Sequence, residues 1–428
     1  MNRNLVVVGA ILVQLALGAI YAWSVFTPSL AEAGWSKGDT QWVFSVGLAA
    51  FALSMVFAGS KLDAWGPQRL TIIGGSLLGL GYFLTGILGA TNFWVVVLFI
   101  GVMAGAGIGF AYVVPIAVGI QWFPDKRGWI TGLAVAGFGF GALLWVKLAG
   151  SWGHLIANLG LSTTFMVYGL LFTVMVILGS LWLRFPPKGW KPNGYSASHR
   201  LAEVALTRDY TPREMLTKVQ FYLIFFTFVF SASAGLMSIG LMKLYPMEAL
   251  QNNGMDSVRA SAVAGTAMAI FFALANGLGR IIWGIISDEI GRKKSIILMT
   301  LIQGVMVLLF TRMAGTEMLL YLGAAVIGFN FGGNFALFPT ITADIFGSKT
   351  VGQDYPFVFL AYGVGGVLGP LLGGFLGDAG NFPLAFTILG MTVLIGTVLM
   401  ILVKPIKLEV EIVSQRRIQM HGDRKRRA

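Results

Sequence analysis

The 428-residue chain contains no cysteine, which excludes disulfides, iron–sulfur clusters and cysteine nucleophiles. Its three histidines, His154, His199 and His421, are scattered over predicted loops and helix ends and offer no zinc site. Charge is scarce as well. Asp, Glu, Lys and Arg make up 11% of the residues and hydrophobic ones 56%, with a mean hydropathy of +0.79. Soluble domains carry about a quarter charged residues, so an ordinary soluble fold is excluded. No Asp or Glu falls deep in any apolar run, and a dedicated side-chain proton carrier is therefore not expected there. Without a His cluster, a Ser–His pairing or a carboxylate pair, an enzyme is not expected either, nor any cofactor. The net charge of +12 would suggest nucleic acid in a soluble protein. Here the expected neighbour is a lipid bilayer, and no nucleic acid. The 57 glycines suit helices that pack closely within it.

Twelve apolar segments are long enough to span a bilayer, giving an all-α polytopic membrane protein. They fall at about 5–30, 40–61, 70–90, 94–122, 129–152, 163–184, 219–246, 260–287, 295–313, 317–345, 355–378 and 383–404. The N-terminus runs directly into an apolar stretch without a small-residue cleavage pattern, so the first segment reads as a retained span. An even count puts both termini on one side. Loops and span ends on that side hold 24 of the 30 Lys and Arg, including Lys126, Arg127, Arg292, Lys293 and Lys294. Four lie opposite: Lys37, Lys243, Arg259 and Arg312. Positive residues stay cytoplasmic, so both termini are expected in the cytoplasm, on the inner side of a cytoplasmic (inner) membrane.

The polar stretch 185–218 divides the chain into a six-helix bundle over 1–184 and another over 219–404, with a basic tail at 405–428. It ends in Thr211-Pro-Arg-Glu214, a capping box with Pro at the first helical position, expected to start a short surface helix. The halves repeat. Gly59, Asp63 and Gly66 close the second span as Gly284, Asp288 and Gly291 close the eighth, at an offset of 225 residues. Gln121-Trp-Phe-Pro-Asp-Lys-Arg127 pairs more loosely with Asp344-Ile-Phe-Gly-Ser-Lys349, and each precedes a glycine-rich span. Doubled transporters are built this way, with a site between the halves near mid-membrane.

Within the eighth segment, Ala273-Leu-Ala-Asn-Gly-Leu-Gly-Arg-Ile-Ile-Trp-Gly-Ile-Ile-Ser-Asp288 carries a lone cation. Arg280 precedes Asp288 by eight residues, so its Cα lies ~12 Å inside the boundary. A cation at that depth costs at least ~2.5–3.5 kcal/mol, and it is expected to face a watery cavity or a partner. Asn276 sits one turn earlier on the same face. Snorkelling to the interface is the plainer alternative. Binding of an anion is the preferred one. Lys147, about nineteen residues into the fifth segment, is expected near the outer interface, where snorkelling is the default.

Gly284-Ile-Ile-Ser-Asp288-Glu-Ile-Gly291-Arg-Lys resembles the signature loop of the major facilitator superfamily. The first copy matches at Gly59, Asp63 and Gly66 but continues Pro67-Gln68-Arg69. The resemblance implies two pseudo-symmetric six-helix bundles. An acid at a helix end beside basic loops reads as a breakable cytoplasmic gate, or as helix capping and a topology signal. The expected partners are Lys126 and Arg127 for Asp63 and Lys349 for Asp288, with Arg292 beside them.

Leu17-Gly-Ala-Ile-Tyr-Ala-Trp-Ser-Val-Phe26, Trp122-Phe-Pro-Asp-Lys-Arg-Gly128, Tyr210-Thr-Pro-Arg-Glu-Met-Leu216 and Ala343-Asp-Ile-Phe-Gly347 resemble the oxalate/formate antiporter family, neighbours of the monocarboxylate transporters. The resemblance implies a carboxylate substrate and a functional arginine in the eighth span, which matches Arg280. Oxalate exchangers of this family carry a lysine in the eleventh span within a Tyr-x-x-x-x-x-x-Lys pattern. Here Tyr355-Pro-Phe-Val-Phe-Leu-Ala-Tyr362 puts Tyr362 there, so one formal cation is left and a monoanion balances it. Animal monocarboxylate transporters have an aspartate four residues before the arginine, where this chain has Asn276. In this superfamily the first, fourth, seventh and tenth spans line the cavity. By that resemblance Tyr21, Tyr112, Phe331 and Phe335 join Phe359 and Tyr362 as walls and donors for the substrate, with Asn330 and Asn334 adjoining. Packing is the alternative for each aromatic. The expectation is a functional monomer that moves a small monocarboxylate such as lactate, pyruvate or formate with protons. Dicarboxylate–monocarboxylate exchange is the alternative.

Overall fold

A computed structural model describes residues 3–35, 37–150, 152–187, 190, 209–242, 244–404 and 406. Most of the 185–218 linker and all of the 405–428 tail except 406 lie outside the described residues. Twelve helices are long and apolar enough to cross a membrane: Arg3–Trp23, Trp42–Trp65, Pro67–Leu88, Phe93–Trp122, Arg127–Ala149, Leu155–Ser180, Val219–Leu241, Ser257–Ile290, Arg292–Met313, Glu317–Phe346, Val351–Gly377 and Phe382–Leu402. They correspond one to one with the twelve apolar segments and are numbered spans 1–12. No strand occurs among the described residues. A helix satisfies all its own backbone groups, which hydrocarbon demands. Large apolar side chains such as Leu53, Leu98, Leu371 and Phe375 stand exposed on the outer helix faces. Lipid, not water, is the solvent that tolerates such a surface.

One boundary differs from the expected one. Span 11 begins at Val351, not near 355, and so takes in Asp354. The polar run Thr350-Val-Gly-Gln-Asp354 reads as loop by hydropathy. An acid in the first turn, however, favours a helix start through the helix dipole. Asp354 lies in the first turn, at the end of the span and not deep within it.

The repeat has a structural counterpart. Gly66 and Gly291 adopt nearly the same left-handed conformation, φ 77°, ψ 157° and φ 92°, ψ 152°, each just before the next span. Glycine enters this region without steric cost. The capping box forms as expected: the Thr211 hydroxyl accepts from Glu214 N, and the Glu214 carboxylate accepts from Thr211 N.

Two seams join the halves, and each uses the second helix of one half and the fifth of the other. Along the span 5–span 8 seam, a Cβ on Gly284 would lie 2.3 Å from the Gly128 carbonyl oxygen, and one on Gly132 2.2 Å from that of Arg280. Spans 2 and 11 approach similarly, with Gly59 against the Gly352 carbonyl oxygen at 2.5 Å. Neither contact leaves room for a side chain.

Candidate functional site

At the end of the bundle that carries the basic residues, henceforth the basic face, the seams are pinned shut. Asp288 accepts from Gly128 N at 3.0 Å and Trp129 N at 2.8 Å, the first turn of span 5 in the other half. Arg292 pairs with Asp288 at 2.6 Å and with Asp344 at 3.3 Å. Arg127 crosses the seam to Asp344 at 2.9 Å. Asp63 accepts from Gln353 Nε2 at 2.5 Å, joining span 2 to span 11. The expected pairings are thus corrected. Arg127 serves Asp344 rather than Asp63, Lys126 is exposed, and Lys349 pairs with Asp209 at 3.5 Å rather than with Asp288. The reason is geometric: Asp288 faces the start of span 5, where free backbone N–H groups of a helix N-terminus satisfy a carboxylate. Gln353 was not anticipated, since nothing in sequence links two residues 290 apart.

Arg280 lies in the same seam, deeper. It has no solvent exposure, so the snorkelling alternative fails. Its Nε donates to Asn276 Oδ1 at 3.1 Å, and Nη1 reaches across to the Val135 carbonyl oxygen of span 5 at 2.9 Å. The guanidinium lies over the Phe335 ring at 4.1 Å and near that of Phe138 at 5.6 Å. Nη2 is buried without a hydrogen-bond partner. No carboxylate pairs with Arg280 among the described residues. The cation is held by one amide, one carbonyl and ring faces, which lower its cost without cancelling its charge. A six-residue π-helical stretch, Ala267–Phe272, immediately precedes this part of span 8, a local widening often found beside functional positions.

Aromatic side chains from both halves close around it. The Tyr21 hydroxyl of span 1 hydrogen-bonds that of Tyr362 in span 11. Phe359 stacks on Tyr362 at 4.9 Å and meets Tyr112 of span 4 at 5.3 Å. Tyr362 also contacts Phe335 at 5.5 Å. Arg280, Asn276, Tyr21, Tyr112, Phe335, Phe359 and Tyr362 therefore come together. Phe331 does not join them directly: it packs on Phe335 at 5.4 Å and occupies the space beside Gly235 of span 7. Asn330 donates to its own helix at Val326 O, and Asn334 bonds to Ser231 of span 7, so neither is turned to the arginine by these bonds. Lys147 is in the last turn of span 5, away from the basic face.

Sequence reasoning missed three contributors. Phe138 borders Arg280, Tyr21 and Tyr112. Phe51 touches Tyr112 and Phe359. Tyr355 is fully buried with its hydroxyl unpartnered, as is that of Tyr112. Phe138 stands in Gly137-Phe-Gly-Phe-Gly141, where a ring between glycines marks a close helix crossing. The other two carry no signal beyond being aromatic.

Comparison with known proteins agrees with this architecture. The sequence model of the Major Facilitator Superfamily matches residues 7–271 and 255–419. The uncharacterized MFS-type transporter YhjX of Escherichia coli (strain K12) is 30% identical over 86% of this chain and 86% of its own. The oxalate:formate antiporter of Oxalobacter formigenes is 28% identical, covering 94% and 92%. The apicoplast pyruvate carrier 1 of Toxoplasma gondii is 27% identical, covering 78% and 69%. Among solved structures, the major facilitator transporter FucP in the outward conformation superposes with a TM-score of 0.65 at 15% identity, over 93% of this chain and 97% of that one. Twelve spans, a doubled Gly–Asp–Gly turn, two mirrored seams and these matches lead to one conclusion: the chain is a multi-pass membrane transport protein of the major facilitator superfamily.

Proposed function

We propose that the chain carries small monocarboxylates, of the lactate, pyruvate or formate class, across the membrane by alternating access and together with protons. One observation carries the reading: a wholly buried guanidinium at the seam, with one nitrogen unpartnered and, among the described residues, no carboxylate paired with it. A monoanion at Nη2 supplies the missing charge and hydrogen-bond acceptor at once. The unpartnered Tyr112 and Tyr355 hydroxyls are donors for its second oxygen or a hydroxyl substituent. The rings of Phe335, Phe359 and Phe138 suit a methyl or short alkyl group. The basic face is read as cytoplasmic from its Lys and Arg excess. Asp63, Asp288, Arg127, Arg292, Lys126 and Lys349 then belong to a cytoplasmic gate in a bacterial inner membrane, around a functional monomer.

Exchange of a dicarboxylate for a monocarboxylate is the second reading, favoured by the similarity to the oxalate:formate antiporter. Tyr362 argues against it. A dianion facing Arg280 alone leaves one buried negative charge uncompensated, a cost of several kcal/mol. Uptake into proteoliposomes of labelled lactate, pyruvate, formate and oxalate, with and without acid outside, separates the two. The first reading expects accumulation of a monocarboxylate driven by the pH gradient. Oxalate uptake that needs internal formate and ignores the gradient would contradict it.

A further inference from the structure

The Tyr21 and Tyr362 hydroxyls bond to each other across the two halves. Each ring rests on one of the two phenylalanines beside the guanidinium. Tyr21 meets Phe138 edge-on at 5.1 Å, and Tyr362 meets Phe335 edge-on at 5.5 Å. Phe138 and Phe335 in turn lie 5.6 and 4.1 Å from the Arg280 guanidinium. Two layers therefore cover the cation, and each takes one ring from each half.

The tyrosine layer is the one farther from the basic face. By helical rise Arg280 lies ~12 Å from Asp288 and Tyr362 ~16 Å from the start of span 11, both counted from that face. The other hydrogen bonds named between the halves, at Val135, Gly128, Trp129, Asp344 and Gln353, lie at Arg280 or nearer the basic face. Arg280, Phe138, Phe335 and Tyr362 are buried, whereas Tyr21 is partly exposed. Tyr21 also stands in a 3₁₀ stretch, Gly18–Val25, that follows the α-helical Arg3–Leu17 of span 1. A change of helix type within a span often marks a hinge.

We propose that the Tyr21–Tyr362 pair is the lid of the anion chamber toward the face opposite the basic one, and that it sets the longest acid the chamber encloses. The inference rests on the monocarboxylate reading and adds a chain-length limit to it. With the carboxylate on Nη2 and its alkyl group along Phe138 and Phe335, the next layer met is the hydroxyl pair. An acid that ends below this layer lets the hydroxyls meet, which excludes water and strengthens the ion pair beneath. A longer chain holds them apart, and the chamber stays open.

Exchange of labelled pyruvate, 2-oxobutyrate, 2-oxopentanoate and 2-oxohexanoate across proteoliposomes at equal pH tests the limit. The native protein is expected to lose rate as the chain lengthens. Tyr21→Ala, which removes half of the lid, is expected to carry an acid at least one carbon longer. The same cut-off in Tyr21→Ala, or no cut-off in the native protein, would overturn the lid. A second readout needs no substrate and keeps the ring. Spin labels at Trp42→Cys and Phe375→Cys sit at exposed positions near the ends of spans 2 and 11 away from the basic face, and are unique thiols because the chain has no cysteine. Tyr21→Phe removes one neutral hydrogen bond, so the ratio of parted to joined lid is expected to rise about 2- to 10-fold, read as a larger share of long distances. If the native protein exchanges none of these acids, the monocarboxylate reading falls and the spin labels alone decide the lid. They also decide if Tyr21→Ala is inactive with every acid. A distance distribution unchanged by Tyr21→Phe overturns the lid, and a shift to longer distances supports it.

Discussion

Arg280 illustrates how a permanent charge is held in hydrocarbon. Its nearest neighbours supply partial negative charge only: an amide oxygen, a backbone carbonyl and two ring faces. Each lowers the cost of the cation and none satisfies Nη2, and the proposed binding of an anion rests on that remaining charge. Tyr112 adds a test of what surrounds it. A hydrogen bond to a charged group is worth about 1.5–3 kcal/mol. If its free hydroxyl donates to the substrate carboxylate, Tyr112→Phe raises the KM for pyruvate uptake by about 10- to 100-fold at that energy, with protein level unchanged. An unchanged KM would make the ring packing alone.

At the scale of the elements, glycine sets how tightly the halves close. Spans 5 and 8 meet backbone to backbone at Gly128 and Gly284, where a Cβ would stand 2.3 Å from a carbonyl oxygen. Gly284→Ala forces these helices apart, and overpacking of this kind costs typically 1–3 kcal/mol. Because the clash exists only while the basic face is closed, the expected result is a larger open population. Spin labels at Ala64→Cys and Lys294→Cys would report it as a longer distance, and an unchanged distribution would refute it. The span count, the doubled turn and Arg280 were legible in the sequence because hydropathy, glycine spacing and an intramembrane charge are local signals. Gly66 and Gly291 could even be paired before any coordinates. The seam contacts were not legible. Asp288 meets the backbone N–H groups of Gly128 and Trp129, and hydrogen bonds to backbone leave no residue-type pattern. The start of span 11 at Val351 escaped because it lies inside a polar run. Phe331 and Phe335 share one helix face and one spacing, yet only Phe335 reaches the arginine, because Gly235 of span 7 leaves a notch for the other.

Across the whole molecule, one charge ties the parts together. The halves meet along two mirrored seams, closed at the basic face by Asp288, Asp344 and Gln353. Arg280 spans one of them, bonded to its own helix and to Val135 of the other half. Any rocking of the halves breaks the Val135 bond and strands the guanidinium unless a bound anion goes with it. Transport and charge balance are therefore one event in this account. The direct measurement is uptake of labelled pyruvate by proteoliposomes containing Arg280→Ala, with its elution profile and thermal unfolding compared with the native protein. The account predicts a folded protein with no uptake under any pH gradient. A folded Arg280→Ala protein that accumulates pyruvate at the native rate would contradict it.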